Sequence, residues 1–331
     1  MTAEKNKRRK TLIIILCVFL AIVIALTSTY FIVLKIGEIR LKKSLTPTDV
    51  LLSGEEYGDE ADAYYNGVSY SYNKDVVNIL IIGIDKEKTQ KKSQSQADAI
   101  YLVSVDTERK KSNVIAISRN TLADVDVYDM NGEYFATDYK QICFSFAYGK
   151  DDNHSSQLTA KAVSKLLYNI PINGYYTIYM DAIGDIVDSV GGISVTMEED
   201  MVYRNSSWKK GQKVLLKGEA ARNYLTSRGE TNQPRYQRHM DFINKFVSKA
   251  KTACLKDLSL PSKMYKKLAS RTVTDVEMAS AVYLASEAVK ASFKIQQIPG
   301  KSGNDGTFET FEVDEEKLYK MVLDVFYKKS K

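Results

Sequence analysis

Three short runs of aliphatic and β-branched residues follow one another closely: residues 78–84 (NILIIGI), 99–105 (AIYLVSV) and 112–118 (SNVIAIS). None shows the apolar/polar alternation of a strand with one wet face, so all three read as strands buried on both sides. Such a sheet needs cover on each face, and the rest of the chain supplies it. Residues 155–170 (SSQLTAKAVSKLLYNI) carry apolar groups at helical spacing, 175–180 (YYTIYM) read as a strand, and 181–190 as a helix closed by Gly191 and Gly192 before the strand ISVTM. GEAARNYLTSRG reads as a further helix. Pro234 then stands at the first turn of a long amphipathic pattern over 235–255, where proline is well tolerated. Helices near 277–293 and 314–328 finish the chain. With 44% hydrophobic and 27% charged residues, one sizeable core is available. The expected class is α/β: a three-layer α/β/α domain with a mixed central sheet, over residues 75–331.

Residues 11–34 are uncharged and contain neither proline nor glycine. At about 1.5 Å per residue they suffice to cross a bilayer as one N-terminal transmembrane helix. A cleaved signal peptide has an apolar core of about 7–15 residues, and this run continues past its only small-residue site near Ala25 and Thr27. Lys5, Lys7, Arg8, Arg9 and Lys10 make residues 1–10 a cytoplasmic basic tail, although Lys35, Arg40, Lys42 and Lys43 keep the charge bias shallow. The expected location is therefore the cell membrane, single-pass, with the domain outside the cytoplasm. Residues 35–74, with the acidic, tyrosine-rich EEYGDEADAYYNGVSYSYN, read as an extracytoplasmic stalk. The net charge of +6 is modest and its densest cluster lies outside the domain, so no nucleic-acid partner is implied. Cys17 falls in the apolar run. The spacing of Cys143 and Cys254 supports neither a bridge nor a metal site, leaving two free thiols.

The chemistry-bearing residues cluster at strand ends. Asp85 closes the first apolar run and Asp98 opens the second, with the polar KEKTQKKSQSQ between them. Ligands of α/β folds sit at the carboxyl ends of strands. If the two strands are antiparallel neighbours, both carboxylates reach one sheet edge, where they can share magnesium, an ion that takes few carboxylates together with phosphate oxygens. A lone strand-end aspartate is more often a turn residue. The basic group is Arg119, after VIAIS, with Arg228, Arg235 and Arg238 around TSRGETNQPRYQRH. Arg235 and Arg238 are three apart in a helix's first turn, hence on one face beside exposed N–H groups that favour an anion. Their planar guanidinium groups suit phosphate. Taken singly, each also reads as an ordinary surface ion-pair residue.

The order of these pieces resembles the LytR-CpsA-Psr family of bacterial cell-envelope transferases. NILIIGID, QADAIYLVSVD, VIAISRNTL, FSFAYG, IPINGYYTIYMDAIGDIVDSVGGISVTM, the GEAARNYLTSR helix and PRYQRHMDF follow in the family's sequence, over residues 77–328. The resemblance implies a fold with an apolar pocket for a polyprenyl chain and a polar mouth for its pyrophosphate. It implies Mg2+ on Asp85 and Asp98, phosphate contacts from Arg119, Arg235 and Arg238, and Arg228 as a helper. Gln141 and His239 occupy two further pyrophosphate-contact positions, where the family has lysine and glutamine. Gln96 stands in place of an arginine and Asn120 in place of an aspartate. Two of these departures remove positive charge, for which Lys86 and Lys140 are the nearest substitutes. Phe144, Phe146, Leu166 and Ile186 are candidate pocket residues, though each reads more readily as plain core.

The function implied is transfer of a phosphoglycan, a teichoic-acid-like or capsular polymer, from a polyprenyl-pyrophosphate carrier to a hydroxyl of peptidoglycan. Asp98 is read as a metal ligand first, since a metal-bound carboxylate is a poor base. The alternative is a catalytically weak glycolipid-binding or regulatory envelope protein of the transcriptional-attenuator type. A ten-residue cytoplasmic tail cannot form a DNA-reading helix pair, which argues against the regulator.

Overall fold

The structure, a computed structural model, describes residues 28–41, 62–85, 95–129, 131–201, 204–205, 207–227 and 232–330. Its elements run α1 (28–41), β1 (Ala63–Tyr65), β2 (Val68–Tyr72), β3 (Val76–Ile84), β4 (Ala99–Asp106), β5 (Lys111–Ile117), β6 (Leu122–Tyr128) and β7 (Tyr134–Gln141). There follow α2 (Asp152–Leu166), β8 (Gly174–Tyr179), α3 (Ile183–Ser189), β9 (Ile193–Thr196), β10 (Lys213–Leu216), α4 (Gly218–Thr226), α5 (Asn232–Lys256) and α6 (Leu260–Leu268). The chain ends with β11 (Thr272–Thr274), α7 (Met278–Lys290), β12 (Ser292–Gln297), β13 (Gly300–Asn304), β14 (Glu309–Val313), α8 (Glu315–Phe326) and β15 (Tyr327–Lys329).

The central sheet has the order β11-β8-β3-β4-β5-β12 and is mixed, as expected: β3–β4 and β4–β5 are antiparallel, β3–β8 and β5–β12 parallel. Successive β3 side chains point to opposite faces. Leu80, Ile82 and Ile84 join Ile100 and Leu102 against Ala162 and Val163 of α2 and Leu318, Val322 and Phe326 of α8. Val77 and Ile79 face the other way, toward Val276, Tyr283 of α7 and Leu41 of α1. A third cluster, with Val187, Val195, Trp208, Leu216, Tyr224 and Phe242, ties α3, β9, β10 and α4 to α5. Helices thus cover both faces.

Two boundaries differ from the expectation. Residues 63–72, read as stalk, form β1 and β2, and β2 pairs with β15 from the far end of the chain. Ala63 and Tyr72 belong to the main core. The acidic, tyrosine-rich composition hid strands whose apolar contacts come from a helix and a strand hundreds of residues away. Of residues 11–34, read as a membrane helix, 11–27 lie outside the described residues; 28–34 form the first half of α1. Gly37 there lies so close to α7 that a Cβ would meet the Ala279 carbonyl, and Arg40 pairs with Glu277, so residues 35–41 pack on the domain. Among the described residues no helix is long and apolar enough to cross a membrane.

A buried polar knot holds the strand that carries Asp85. Asn78, opposite Ser104 across β3–β4, accepts from the Ser104 hydroxyl at 2.6 Å and donates to the Pro171 carbonyl at 2.9 Å and Tyr72 Oη at 3.4 Å. Its backbone N–H donates to Asn173 Oδ1 at 2.6 Å. Asn78→Leu strands the Ser104 hydroxyl and the Pro171 carbonyl in the core, at a cost on the order of 3 kcal/mol. A thermal melt should show this loss, while Asn78→Asp at low pH, where the acid is neutral, should lose less.

Candidate functional site

The β3–β4 ladder ends at Gly83 opposite Ala99, and one further bond, Asp98 N–H to the Gly83 carbonyl at 2.9 Å, carries it past the strand ends. Asp98 Oδ2 then accepts the Asp85 N–H at 3.1 Å. The two carboxylates therefore meet at one edge of the sheet, at the carboxyl end of β3. Because β5 runs antiparallel to β4, with Ile117 opposite Ile100, its end delivers Arg119 to the same edge. One guanidinium nitrogen of Arg119 donates to Asp98 Oδ1 and another to Gln96 Oε1. Its Nε–H is buried with no acceptor among the described residues, an unspent donor for an anionic oxygen. Cys143 Sγ lies 3.9 Å from the same guanidinium. Burial pushes the Cys143 thiol up against the pull of Arg119, so it stays protonated beside the site. Cys143 and Cys254 are both free, as expected.

Behind the carboxylates an apolar cavity of about 210 Å³ opens, with Asp85, Asp98 and His239 among its lining residues. Its floor is the sheet face that carries Ile81 and Gly83 of β3, with Tyr101 and Ile178 beside them; its walls are Ile183 and Ile186 of α3 and Phe242 and Phe246 of α5. Ile81 and Ile178 also border a second hollow of about 620 Å³ on that face, running beneath Ile79, Val103 and Val105 and roofed by Met264 and Leu268 of α6 and Leu284 of α7. Of the four apolar residues singled out from the sequence, Ile186 lines the cavity. Phe146 and Leu166 belong to the core on the opposite face. The wall residues of α5 were legible only as a helical stripe, whose partner the sequence does not name.

The remaining predicted residues are spread more widely. Arg238 is only 3% exposed; it donates to Glu199 Oε1 at 2.7 Å and to the Ser227 carbonyl at 2.5 Å, and its guanidinium lies 5.6 Å from the Tyr224 ring centre. Two of its nitrogens are thus engaged within the α4–α5 cluster, while its Nε–H, like that of Arg119, is buried with no acceptor among the described residues. Arg235 lies in the first turn of α5, but its side chain is outside the described residues, as are Arg228 and Lys86. His239 Nε2 is 2.8 Å from the Leu225 carbonyl, which turns the ring along the cavity wall. Gln141 donates to the Glu309 carbonyl at 2.5 Å, since pairing with Leu122 across β6–β7 lays it beside the start of β14. Asn120 reaches the Glu309 carboxylate at 3.2 Å. Lys140 is engaged by Asp138 at 2.8 Å and by the Tyr148 hydroxyl at 3.1 Å.

For a metal, the donor chemistry is two hard carboxylates at one edge; among the described residues no cluster of three or more histidines, cysteines and acids exists. That donor set fits magnesium, which uses one or two carboxylates and takes its other oxygens from water and phosphates.

Among curated relatives, the polyisoprenyl-teichoic acid–peptidoglycan teichoic acid transferase TagT of Bacillus subtilis is 27% identical over 189 residues, 54% of this chain and 54% of TagT. The transferase TagU of the same organism is 24% identical over 230 residues, 70% of this chain and 66% of TagU. The chain thus spans about half to two thirds of the length of these relatives. Among solved structures, TagT bound to LIIa-WTA superposes with a TM-score of 0.58 at 22% identity, covering 77% of this chain and 92% of that one. Protein gbs0355 from Streptococcus agalactiae gives 0.61 at 20% identity, covering 77% and 90%. At such identities the likeness establishes the α/β fold. The pattern of the LytR_cpsA_psr family matches residues 52–324, and the chain belongs to that family.

Proposed function

We propose that the chain is a membrane-anchored glycopolymer phosphotransferase, moving a phosphoglycan from a polyprenyl-pyrophosphate carrier to a peptidoglycan hydroxyl. The observation that carries this reading is the apolar cavity with Asp85 and Asp98 at its mouth: one end suits a hydrocarbon chain, the other a pyrophosphate. At about 210 Å³ the cavity takes only the head of a long chain, and the adjoining hollow under α6 gives the rest a place to lie. The anchor is residues 11–34, the last seven of which open α1.

Two carboxylates and one guanidinium leave the described mouth with a net negative charge, which repels a pyrophosphate. Mg2+ held by Asp85 and Asp98 would reverse that sign and neutralise charge on the phosphates. Asp98 orients Arg119, whose free donor meets a phosphate oxygen. The acceptor hydroxyl oxygen bonds to the glycan-side phosphorus, the P–O bond to polyprenyl phosphate breaks, and the hydroxyl proton passes to water. The protein's part is positioning and charge stabilisation, as in phosphoryl transfer generally.

Asp85→Asn keeps size and polarity and leaves the β3–β4 ladder intact, yet should lower magnesium-dependent transfer from a synthetic lipid-linked donor by a few powers of ten, several kcal/mol of transition-state stabilisation. Its melting temperature without metal should not fall. A near wild-type rate with unchanged magnesium dependence would remove the metal site. Filling the cavity tests the lipid end separately. Ala99→Leu, beside Gly83, should cost about 1–3 kcal/mol of stability by overpacking. It should also raise KM for long-chain polyprenyl donors while leaving short-chain donors nearly unaffected. Equal KM for both lengths would mean that the chain lies elsewhere.

A further inference from the structure

The corner between α5 and α6 has a surface that no part of the transfer reaction uses. Leu255 and Leu258 are 67% and 59% exposed there, in a segment where polar residues would serve a water-facing turn better. On the flanking turns of α5 and α6 come Lys249, Lys256, Lys263 and Lys266, all exposed, with Asp257 the one acid between residues 242 and 274. Asp257 is spent on Lys263 at 2.8 Å, and Lys249, Lys256 and Lys266 have no acidic partner among the described residues. Exposed leucines flanked by unpaired lysines match an anionic lipid surface: apolar side chains enter the interface while ammonium groups meet phosphates.

Two further observations indicate which way this corner faces. α1 runs antiparallel to α7, since Arg40 meets Glu277 just ahead of α7's first turn and Gly37 presses on Ala279 and Tyr283 further along. The uncharged residues 11–27 therefore join the chain toward the far end of α7. That far end is held by Lys251 of α5, whose ammonium donates to the Ala291 carbonyl at 2.5 Å, one helical turn before Leu255. The start of α1 and the α5–α6 corner thus belong to the same end of the helical layer. In addition, α6 buries none of its side chains fully and roofs the larger hollow with Pro261, Met264 and Leu268.

We propose that the α5–α6 corner is a membrane-docking surface, with Leu255 and Leu258 entering the interface of an anionic bilayer and the surrounding lysines on lipid phosphates. The inference rests on reading residues 11–34 as the anchor. Docked this way, the α6-roofed hollow lies against the bilayer, so a lipid-linked chain reaches it sideways without crossing water.

The test uses the full chain reconstituted into vesicles of brominated phosphatidylcholine with phosphatidylglycerol, since bromine quenches tryptophan at membrane depth. Trp208, the only native tryptophan, is buried in the domain and supplies a constant background. Leu258→Trp should lose most of its added emission, whereas Phe135→Trp, on the exposed ribbon β6–β7, should keep its own. Lys256→Glu with Lys266→Glu in the Leu258→Trp chain, or vesicles without the anionic lipid, should restore the emission. Flotation of the chain with position 258 as bright as position 135 overturns docking and leaves the anchor standing. Failure to float overturns both.

Discussion

The site depends on one residue's place in the β3–β4 ladder. Asp98 extends the ladder through its N–H to the Gly83 carbonyl, caps the Asp85 N–H with one carboxylate oxygen and holds Arg119 with the other. Strand pairing, the second carboxylate and the arginine are therefore coupled through a single side chain. A slip in the ladder by one residue would take all three apart. Both faces of β3 are apolar, so hydrophobic pattern alone does not forbid that slip. What specifies the register is polar and steric. Asn78 must face Ser104 to satisfy both in a dry core, and a Cβ at Gly83 would lie 2.9 Å from that of Ala99.

The two faces of the sheet are packed to different ends. Beneath α2 and α8, β3 packs against a core of isoleucine, leucine, valine and phenylalanine, and the hollow on that side, about 480 Å³, lies at the polar edge between α8 and β5–β12, away from β3. On the opposite face the roof is made of α3, α5, the short α6 and α7, which offers Ala281, Ala285 and Ala288 where larger residues would fill the space. Close packing is the rule for interiors, and space on this scale in apolar surroundings is a place for a ligand. The cavity and the hollow both lie along the β3 residues that end at Asp85.

The four departures from the family's pattern take separate roles. Gln96 is the second acceptor on Arg119, where a cation would repel it. Asn120 and Gln141 both turn to Glu309, stitching β14 to the site edge. His239 borders the cavity through its bond to Leu225. Among the described residues, Arg119 is therefore the cation that meets the two carboxylates, and in the proposed reaction more weight falls on it and on a bound Mg2+.

Much of this protein was legible in its residues alone. Continuous apolar runs identified doubly buried strands, hence a sheet covered on both sides, and Asp85 and Asp98 bracketing a polar loop pointed to a shared sheet edge on the condition that their strands are antiparallel neighbours, which the β3–β4 ladder meets. The order of the motifs carried the family. Other features were decided only in three dimensions. β1 and β2 draw their stability from β15 and α8 at the other end of the chain, so no local pattern marks them. Arg238 and Arg119 look alike in sequence, yet one turns into a helical cluster beside Glu199 while the other meets Asp98. Which face of β3 is filled and which left hollow was likewise invisible, since a strand buried on both sides reads the same from either. Only the size of the side chains brought against each face, by helices distant in the chain, decides it.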